Sequence, residues 1–322
     1  MRAIQVTVCG GPEQLVLGER ADRQPGDGEI AVDVAASGVN FIDVYHREGR
    51  YPMTLPFVPG LEGAGTVTAV GAGVSGIQPG DRVAWATAQG SYAERHVLPA
   101  AVALPVPPEM DLKDAAALAL QAMTVHMLVV DVWRLAPGQT ALVHAAAGGV
   151  GLLLCAAAKH LGARVIGTTS TPEKAALARA AGADDVILYT EVDFEAEVKR
   201  LTDSRGVDVV YDSVGKTTFE KSLNCLRPRG MLVLFGGSSG PAPSIDPIVL
   251  MQKGSLFLTR PTLFHYTATP PERQARWAGV LDWWRAGAIK ATIGGAYPLA
   301  EAAQAHRDLE ARKTTGKLIL VP

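Results

Sequence analysis

The 322-residue chain contains only three cysteines, Cys9, Cys155 and Cys225, and no two are close in sequence. That excludes a disulfide-stapled fold and a cysteine-rich zinc lobe, and it fits a reducing compartment. An excess of one charge is missing too. The chain has 30 Lys and Arg against 32 Asp and Glu, a formal net charge of −2, so no basic face points to a nucleic-acid partner. The start, Met1 to Val6, alternates like a strand and has no signal-peptide core. Gly, Lys or His interrupts each apolar run short of a membrane span, so the expectation is a cytoplasmic protein with no membrane partner. With 48% hydrophobic and 19% charged residues, the chain has the material for sizeable buried cores.

The most informative stretch is Val143-His144-Ala145-Ala146-Ala147-Gly148-Gly149-Val150-Gly151. A β-type segment enters it and the helix-prone run from Leu152 to Lys159 leaves it. Strand, glycine turn and helix form the arrangement a phosphate needs. The turn brings backbone N–H groups close, and the helix N-terminus adds partial positive charge. The spacing Ala146-x-Gly148-x-x-Gly151 is a dinucleotide fingerprint with alanine at its first glycine.

The chain changes texture along its length. The first part is rich in strands and turns, with alternation over Ile30 to Val34 and Gly65 to Val70 and little helical period before Asp111. Asp111 can cap a helix there, and Met123 to Trp133 continues the helical pattern. After Pro137-Gly138, strands are predicted at Ala141 to His144, Arg164 to Thr168, Asp185 to Leu188, Val207 to Asp212 and Met231 to Phe235. Helices are predicted between them at Leu152 to Leu161, Pro172 to Ala181, Phe194 to Thr202 and Thr217 to Cys225. Such repetition implies an α/β domain with a doubly wound parallel sheet. Beyond Leu263 a tryptophan-bearing helix, the segment Ala291 to Tyr297, helix Leu299 to Ala311 and strand Leu318 to Val321 complete the chain.

The second strand of the α/β region ends Gly167-Thr168-Thr169-Ser170, with no acid to bond a ribose 2′-hydroxyl. Thr171 and Pro172 open the next helix and place Lys174 in its first turn. A missing carboxylate, the Ser170 hydroxyl and the Lys174 ammonium together favour a 2′-phosphate, and hence NADPH.

Ordered motifs along nearly the whole chain carry a resemblance. They are Ser37-Gly38-Val39-Asn40-Phe41-Ile42-Asp43-Val44-Tyr45, Pro59-Gly60-Leu61-Glu62-Gly63-Ala64-Gly65 and Gly80-Asp81-Arg82-Val83. The stretch from Gly138 through Lys159, Val210-Tyr211-Asp212-Ser213-Val214-Gly215, Phe235-Gly236-Gly237-Ser238-Ser239-Gly240 and Thr259-Arg260-Pro261 continue the series. The chain resembles the zinc-independent quinone oxidoreductase (zeta-crystallin-like) branch of the medium-chain dehydrogenase/reductase superfamily. Ala156, where that branch usually has Gln, is a departure within a helix body. The resemblance implies a β-rich GroES-like catalytic domain at 1–123, a Rossmann NADPH-binding domain at 124–264 and a return to the catalytic domain at 265–322. Asn40 and Leu61 stand where zinc-dependent relatives place a thiolate and an imidazole, so the ligands for catalytic zinc are missing.

The resemblance also implies the site. Asn40 and Tyr45 offer donors to an acceptor's developing oxyanion, Tyr51 adds an aromatic wall, and Asp43 orients the site or balances Arg47. Ala147, Gly148, Gly149 and Val150 line the pyrophosphate. Ser170, Lys174 and Tyr189 face the 2′-phosphate or adenine side. Asn40, Thr124, Ser213, Phe235, Gly236 and Ser238 border the nicotinamide half, and Lys317 meets the pyrophosphate. Arg260 fits equally a cleft residue or a structural partner, and His144 reads as packed. The activity expected is zinc-independent reduction of a quinone or other small electrophilic acceptor by NADPH, in a homodimer joined through sheet edges. Reduction of an enone or enoyl substrate is the rival chemistry. A cofactor-binding structural or RNA-binding, crystallin-like protein is the rival from another class.

Overall fold

The computed structural model describes residues 1–322, and the chain divides into two compact units. The first comprises residues 1–123, 267–278 and 290–322, and the second residues 124–266 and 279–289. In chain order the first unit supplies β1 (Arg2–Gln5), β2 (Val16–Glu19), β3 (Glu29–Val39), α1 (Phe41–Arg47), β4 (Glu62–Val70), β5 (Arg82–Trp85), β6 (Arg95–Pro99), β7 (Leu104–Pro105) and the start of α2 (Leu112–Met127). The second supplies β8 (Thr140–Val143), α3 (Gly149–His160), β9 (Arg164–Thr169), α4 (Pro172–Ala180), β10 (Asp185–Leu188), α5 (Phe194–Leu201) and β11 (Val207–Asp212). It continues with α6 (Phe219–Asn224), β12 (Leu226–Leu234), α7 (Ile248–Gln252) and β13 (Phe257–Thr259). After α8 (Pro270–Arg285), strand β14 (Ile293–Pro298), α9 (Ala302–Glu310) and β15 (Lys317–Val321) belong to the first unit.

The first unit is a mostly antiparallel seven-stranded sheet in the order β14-β15-β3-β4-β5-β7, with β6 also paired to β3. The chain's last strand is therefore hydrogen-bonded to β3, with Leu318 opposite Val39. One core gathers Ile4, Phe57, Tyr92, Leu299, Ala305 and Leu320. Close packing explains the small residues of β4. A Cβ on Gly63 would strike the Trp85 ring, and one on Gly65 would strike the Asp33 carbonyl.

The second unit is a six-stranded parallel sheet in the order β10-β9-β8-β11-β12-β13. From β8 the chain runs outward through β9 to β10, then returns to pair β11 on the other side of β8. That reversal is the topological switch point at which such sheets bind ligands, beyond the strands' carboxyl ends. Apolar side chains such as Leu142, Ile166, Val210 and Leu232, all 0% exposed, pack under Phe194, Val198 and Phe219 from α5 and α6. This doubly wound sheet and the β-rich first unit are the predicted fold class.

Three local readings need revision. The short helix α1 was not anticipated from the hydrophobic period, because five of its seven residues, Asp43 to Arg47, are buried and leave little amphipathic signal. Helix α3 begins at Gly149, not Leu152, because the glycine turn itself supplies the first helical residues. And one helix, Leu112–Val132, is long and apolar enough to cross a membrane, although 67% of its most apolar stretch is buried inside the protein. Lys113 and Asp114 lie at its start and Asp131 at its end, so His126 is the sole Lys, His or Gly within the run between them and does not lower its apolar character enough to break it.

Candidate functional site

The second unit builds a glycine turn at the end of β8. Ala145 holds a positive φ of 52° there, and Ala146 N–H bonds the Thr168 carbonyl at 3.0 Å. Gly148 then starts α3 with no side-chain cap and no acid in the helix's first turn. Uncapped first-turn N–H groups and the helix dipole together favour an anion. A Cβ at Gly151 would strike the Ala145 carbonyl and lie 2.8 Å from the Ala146 carbonyl carbon, so glycine is obligatory where α3 passes the turn. Ala147 is buried beside this turn, and Gly148, Gly149 and Val150 lie along it half-buried.

The adjacent strand ends bring other predicted residues together. Parallel register sets Leu188 level with Thr169, and Tyr189 N–H then donates to the Thr169 carbonyl at 3.1 Å. Thr190 Oγ1 donates to the Ser170 carbonyl, and Thr171 caps α4 by accepting from Lys174 N–H. Ser170, Lys174 and Tyr189 thus cluster past β9 and β10, with no carboxylate at the end of β9. Thr169 Oγ1, which sequence reasoning did not single out, is buried there with no hydrogen-bond partner. On the other side of the switch point, Asp212 Oδ1 accepts from Val214 and Gly215 N–H. Ser238 N–H donates to the Ser213 carbonyl at 3.1 Å, and Phe235 N–H to the Asp212 carbonyl at 2.9 Å. A Cβ on Gly236 would come within 2.8 Å of Ser213 Cα. Ser213, Phe235, Gly236 and Ser238 therefore form one surface. Arg260 Nη1 holds the Leu234 carbonyl at 2.8 Å, which gives it a structural contact.

His144, buried as expected, spans the switch point inside the sheet. Nδ1 meets Thr168 Oγ1 and Nε2 meets Ser222 Oγ, both at 3.0 Å, and Ser222 donates in turn to Asp212 Oδ2. Ser222 spends its proton on Asp212, so His144 is neutral with its proton on Nε2. Burial lowers its pKa, against the pull of Asp212.

In the first unit the candidate residues surround a buried ion pair. Lys317 Nζ bonds Glu62 Oε2 and, at 2.7 Å, Asn40 Oδ1, with the lysine 2% and the glutamate 0% exposed. Glu62 also accepts from Asn40 Nδ2 at 2.9 Å and from Leu120 N–H at 2.6 Å. Gln121 Nε2 reaches Asn40 Oδ1 at 3.3 Å. A Cβ on Gly38 would strike Glu62 Oε2 and sit 2.7 Å from Lys317 Cε, which accounts for glycine in the Ser37-Gly38-Val39-Asn40 motif.

These contacts correct three expectations. Lys317 does not point to a pyrophosphate, because its ammonium is buried on Glu62 and Asn40. Asn40 does not have its amide free for an acceptor, because Nδ2 donates both to Glu62 Oε2 and to the Gly38 carbonyl at 3.4 Å. Asp43 does not balance Arg47, which pairs with Glu310 at 2.7 Å. Instead Asp43 Oδ2 accepts from Asn40 N–H at 2.9 Å and from the Tyr92 hydroxyl at 3.0 Å. Tyr92 meets His306 Nε2 at 3.1 Å, and Arg47 Nη1 meets His306 Nδ1 at 3.1 Å. Burial pushes the Asp43 carboxyl up to about 7 against these donors. Burial, helped by Arg47, pulls His306 down to about 3. Tyr45 and Tyr51 stack edge to face at 5.4 Å, with Arg50 5.4 Å from the Tyr45 ring centre, so an aromatic group lies beside α1.

The donor set does not suit zinc. Leu61 has no ligating atom, Asn40 Oδ1 already receives Lys317 and Gln121, and no three His, Cys, Asp or Glu side chains converge.

Two measurements test the interior of the first unit. Lys317→Met leaves Glu62 charged and buried without its cation, a change that costs ~3–5 kcal/mol. Urea unfolding should show that loss, and the double change Lys317→Met with Glu62→Gln should recover much of it. His306 takes up a proton near 6.5 when unfolded but only near 3 when folded, so stability is intact above 6.5 and declines as pH falls through that window. His306→Gln, which keeps one donor and one acceptor, should lose melting temperature less steeply than wild type between pH 6.5 and pH 4.

Comparison with known proteins identifies the lineage. Residues 26–108 match the alcohol dehydrogenase GroES-like domain family, and residues 149–285 match the zinc-binding dehydrogenase family. The quinone oxidoreductase of Pseudomonas aeruginosa is 46% identical over 100% of this chain and 99% of its own length. The 2-haloacrylate reductase of a Burkholderia species is 41% identical over 97% of this chain and 96% of its own length. The crystal structure of Escherichia coli quinone oxidoreductase complexed with NADPH superposes with a TM-score of 0.98 at 42% identity, covering 100% of each chain. This chain belongs to the zinc-independent quinone oxidoreductase branch of the medium-chain dehydrogenase/reductase superfamily.

Proposed function

We propose that this protein is an NADPH-dependent quinone reductase working without zinc. The observation that carries the reading is the acid-free end of β9, set with Ser170, Lys174 and Tyr189 beside the uncapped start of α3. That arrangement suits a dinucleotide bearing a 2′-phosphate, and the relatives act on quinones by name. The fit rests on shape as well as charge, since the cradle at Gly151 and the approach at Gly236 leave no room for a side chain.

Ala147, Gly148, Gly149 and Val150 would hold the pyrophosphate through backbone N–H groups. Ser170, Lys174 and Tyr189 would hold the 2′-phosphate, with Thr169 Oγ1 an unpaired hydroxyl beside them. Thr124, Ser213, Phe235, Gly236 and Ser238 would border the nicotinamide half. When bound, NADPH supplies the hydride. The first unit's residues then serve the acceptor. The Tyr45 hydroxyl donates toward a developing oxyanion, and Tyr51 offers an aromatic face to a planar ring. Asn40 contributes by linking α1 to the buried positive charge of Lys317, not by a free amide. The unpaired cysteines, Cys9, Cys155 and Cys225, suit a reducing compartment such as the cytoplasm.

The 2-haloacrylate reductase relative keeps an activated alkene in view as an alternative acceptor. Steady-state NADPH oxidation with 1,4-benzoquinone should exceed that with a linear enal in kcat/KM, and preference for the enal would reassign the substrate. Lys174→Glu should raise KM for NADPH by about tenfold or more while changing KM for NADH little, as loss of a charged phosphate contact requires.

We also propose a homodimer formed through β13, an edge strand of the parallel sheet. Phe257 on that strand is 53% exposed, and Ile248 and Met251 on neighbouring α7 are exposed as well. Sedimentation should give twice the chain mass, and Phe257→Lys should shift the population to monomer.

A further inference from the structure

Four side chains, of which the sequence motifs hold only Asp43 close to Arg47, form a chain of hydrogen bonds with a fixed direction. Arginine only donates, so His306 Nδ1 must accept from Arg47 Nη1. A neutral ring that accepts at Nδ1 carries its proton on Nε2, and it donates that proton to the Tyr92 oxygen. The Tyr92 hydroxyl proton is then directed to Asp43 Oδ2, which also takes Asn40 N–H. Arg47 is fixed in turn by Glu310 and by the Gly10 carbonyl. Asp43, Arg47, Tyr92 and His306 are each 0% exposed, so solvent competes for none of these bonds.

The chain ends where the acceptor half of the proposed site begins. Asp43 sits in the first turn of α1, Asn40 precedes that helix, and Tyr45 follows two residues later. A carboxylate in the first turn that reaches back to the cap residue's N–H holds a helix start by charge and by geometry together. We propose that Asp43 is a positioning residue for the acceptor half of the site, and that the Arg47–His306–Tyr92 chain holds its carboxylate against the start of α1. This inference rests on the quinone-reductase reading above.

The groups acting on Asp43 come from several elements: Asn40 N–H before its own helix and the Tyr92 hydroxyl from the segment after β5 bond it, and the charges of Lys317 on β15 and Glu62 on β4 lie near it, while His306 of α9 and Arg47 stand behind Tyr92. Tyr92 and Lys317 favour its charged form, whereas Glu62 opposes it, and burial brings its titration to about 7. Protonation places a proton on an acid whose Oδ1 has no partner, and it weakens the grip on Asn40 N–H.

The test is a pH profile of kcat/KM for benzoquinone with NADPH saturating, in wild type, Tyr92→Phe and Asp43→Asn. Wild type should lose activity on the acid side with a midpoint near 7. Tyr92→Phe removes a donor to the ionised form, so its midpoint should move to higher pH, with kcat/KM for the quinone down about tenfold at neutral pH. Asp43→Asn should show no titration there. KM for NADPH should stay within about twofold of wild type in both variants, because neither residue is among those proposed to hold the dinucleotide. Wild-type profiles in both variants, or equal losses in the NADPH and quinone terms, would overturn the proposal. A second readout does not need turnover. Infrared difference spectra of wild type should show a protonated carboxyl band that titrates near 7 and is absent from Asp43→Asn. A wild type that turns over no quinone but shows this band would sink the functional reading and keep the Asp43 titration. A wild type without the band would sink the positioning chain. Thermal melts of Tyr92→Phe and His306→Gln separate either result from loss of fold.

Discussion

The first unit depends on one buried ion pair. Glu62 and Lys317 are both out of water, and a charge in that position is tolerated only when each of its bonding directions is answered. Here Glu62 receives Lys317, Asn40 and the Leu120 N–H, drawn from β15, the start of α1 and α2. Removing Lys317 leaves an uncompensated charge and removing either neutral donor leaves a bonding direction of Glu62 unanswered, so the pair fixes the relative placement of three segments far apart in the chain. It also explains why β3 carries glycine at position 38, where the pair's atoms occupy the space a side chain would need. The last strand of the chain is thereby a working part of the fold's interior, since Leu318 pairs with Val39 and its neighbour Lys317 reaches Glu62.

The second unit follows the same principle with hydroxyl and imidazole groups that end on one carboxylate. Thr168, His144, Ser222 and Asp212 pass hydrogen bonds in one direction across the strands flanking the switch point. Asp212 spends its other oxygen on the Val214 and Gly215 N–H groups, so the turn holding Ser213 is set by the same carboxylate that ends the chain. Each unit therefore has a polar spine whose proton positions are dictated by one residue that cannot change roles. In the first it is an arginine that only donates, and in the second it is a buried aspartate that accepts.

The parts of this architecture that were legible in the sequence are those with local causes. Strands β10 and β11 and the start of α4 fall at their predicted residues, because alternation, Thr171 and Pro172 act within a few positions. The glycine turn was readable for the same reason, since Gly151 answers to a backbone atom only six residues away. Lys317 and Asn40 were misread because their partners are non-local. Nothing near Lys317 in sequence announces Glu62, more than 250 residues away. Tyr92 and His306 escaped notice for that reason, and the only sequence trace of their chain was an aspartate three residues after Asn40. The Asn40 and Asp43 pair is itself the local signature of the overlooked helix α1.

The uncapped start of α3 has a consequence for the protein's persistence in the cell. A helix whose first N–H groups are left to an anionic ligand lacks the ~1 kcal/mol that a side-chain cap contributes. In the proposed site a dinucleotide phosphate would supply the missing contact, and a ligand present at a hundred times its dissociation constant adds about 2.7 kcal/mol to the folded state. Pyrophosphate contacts do not distinguish the reduced from the oxidised nicotinamide. Resistance to unfolding and proteolysis thus follows the size of the total dinucleotide pool, even when its redox balance shifts, so the abundance of this protein would track supply of its own cosubstrate.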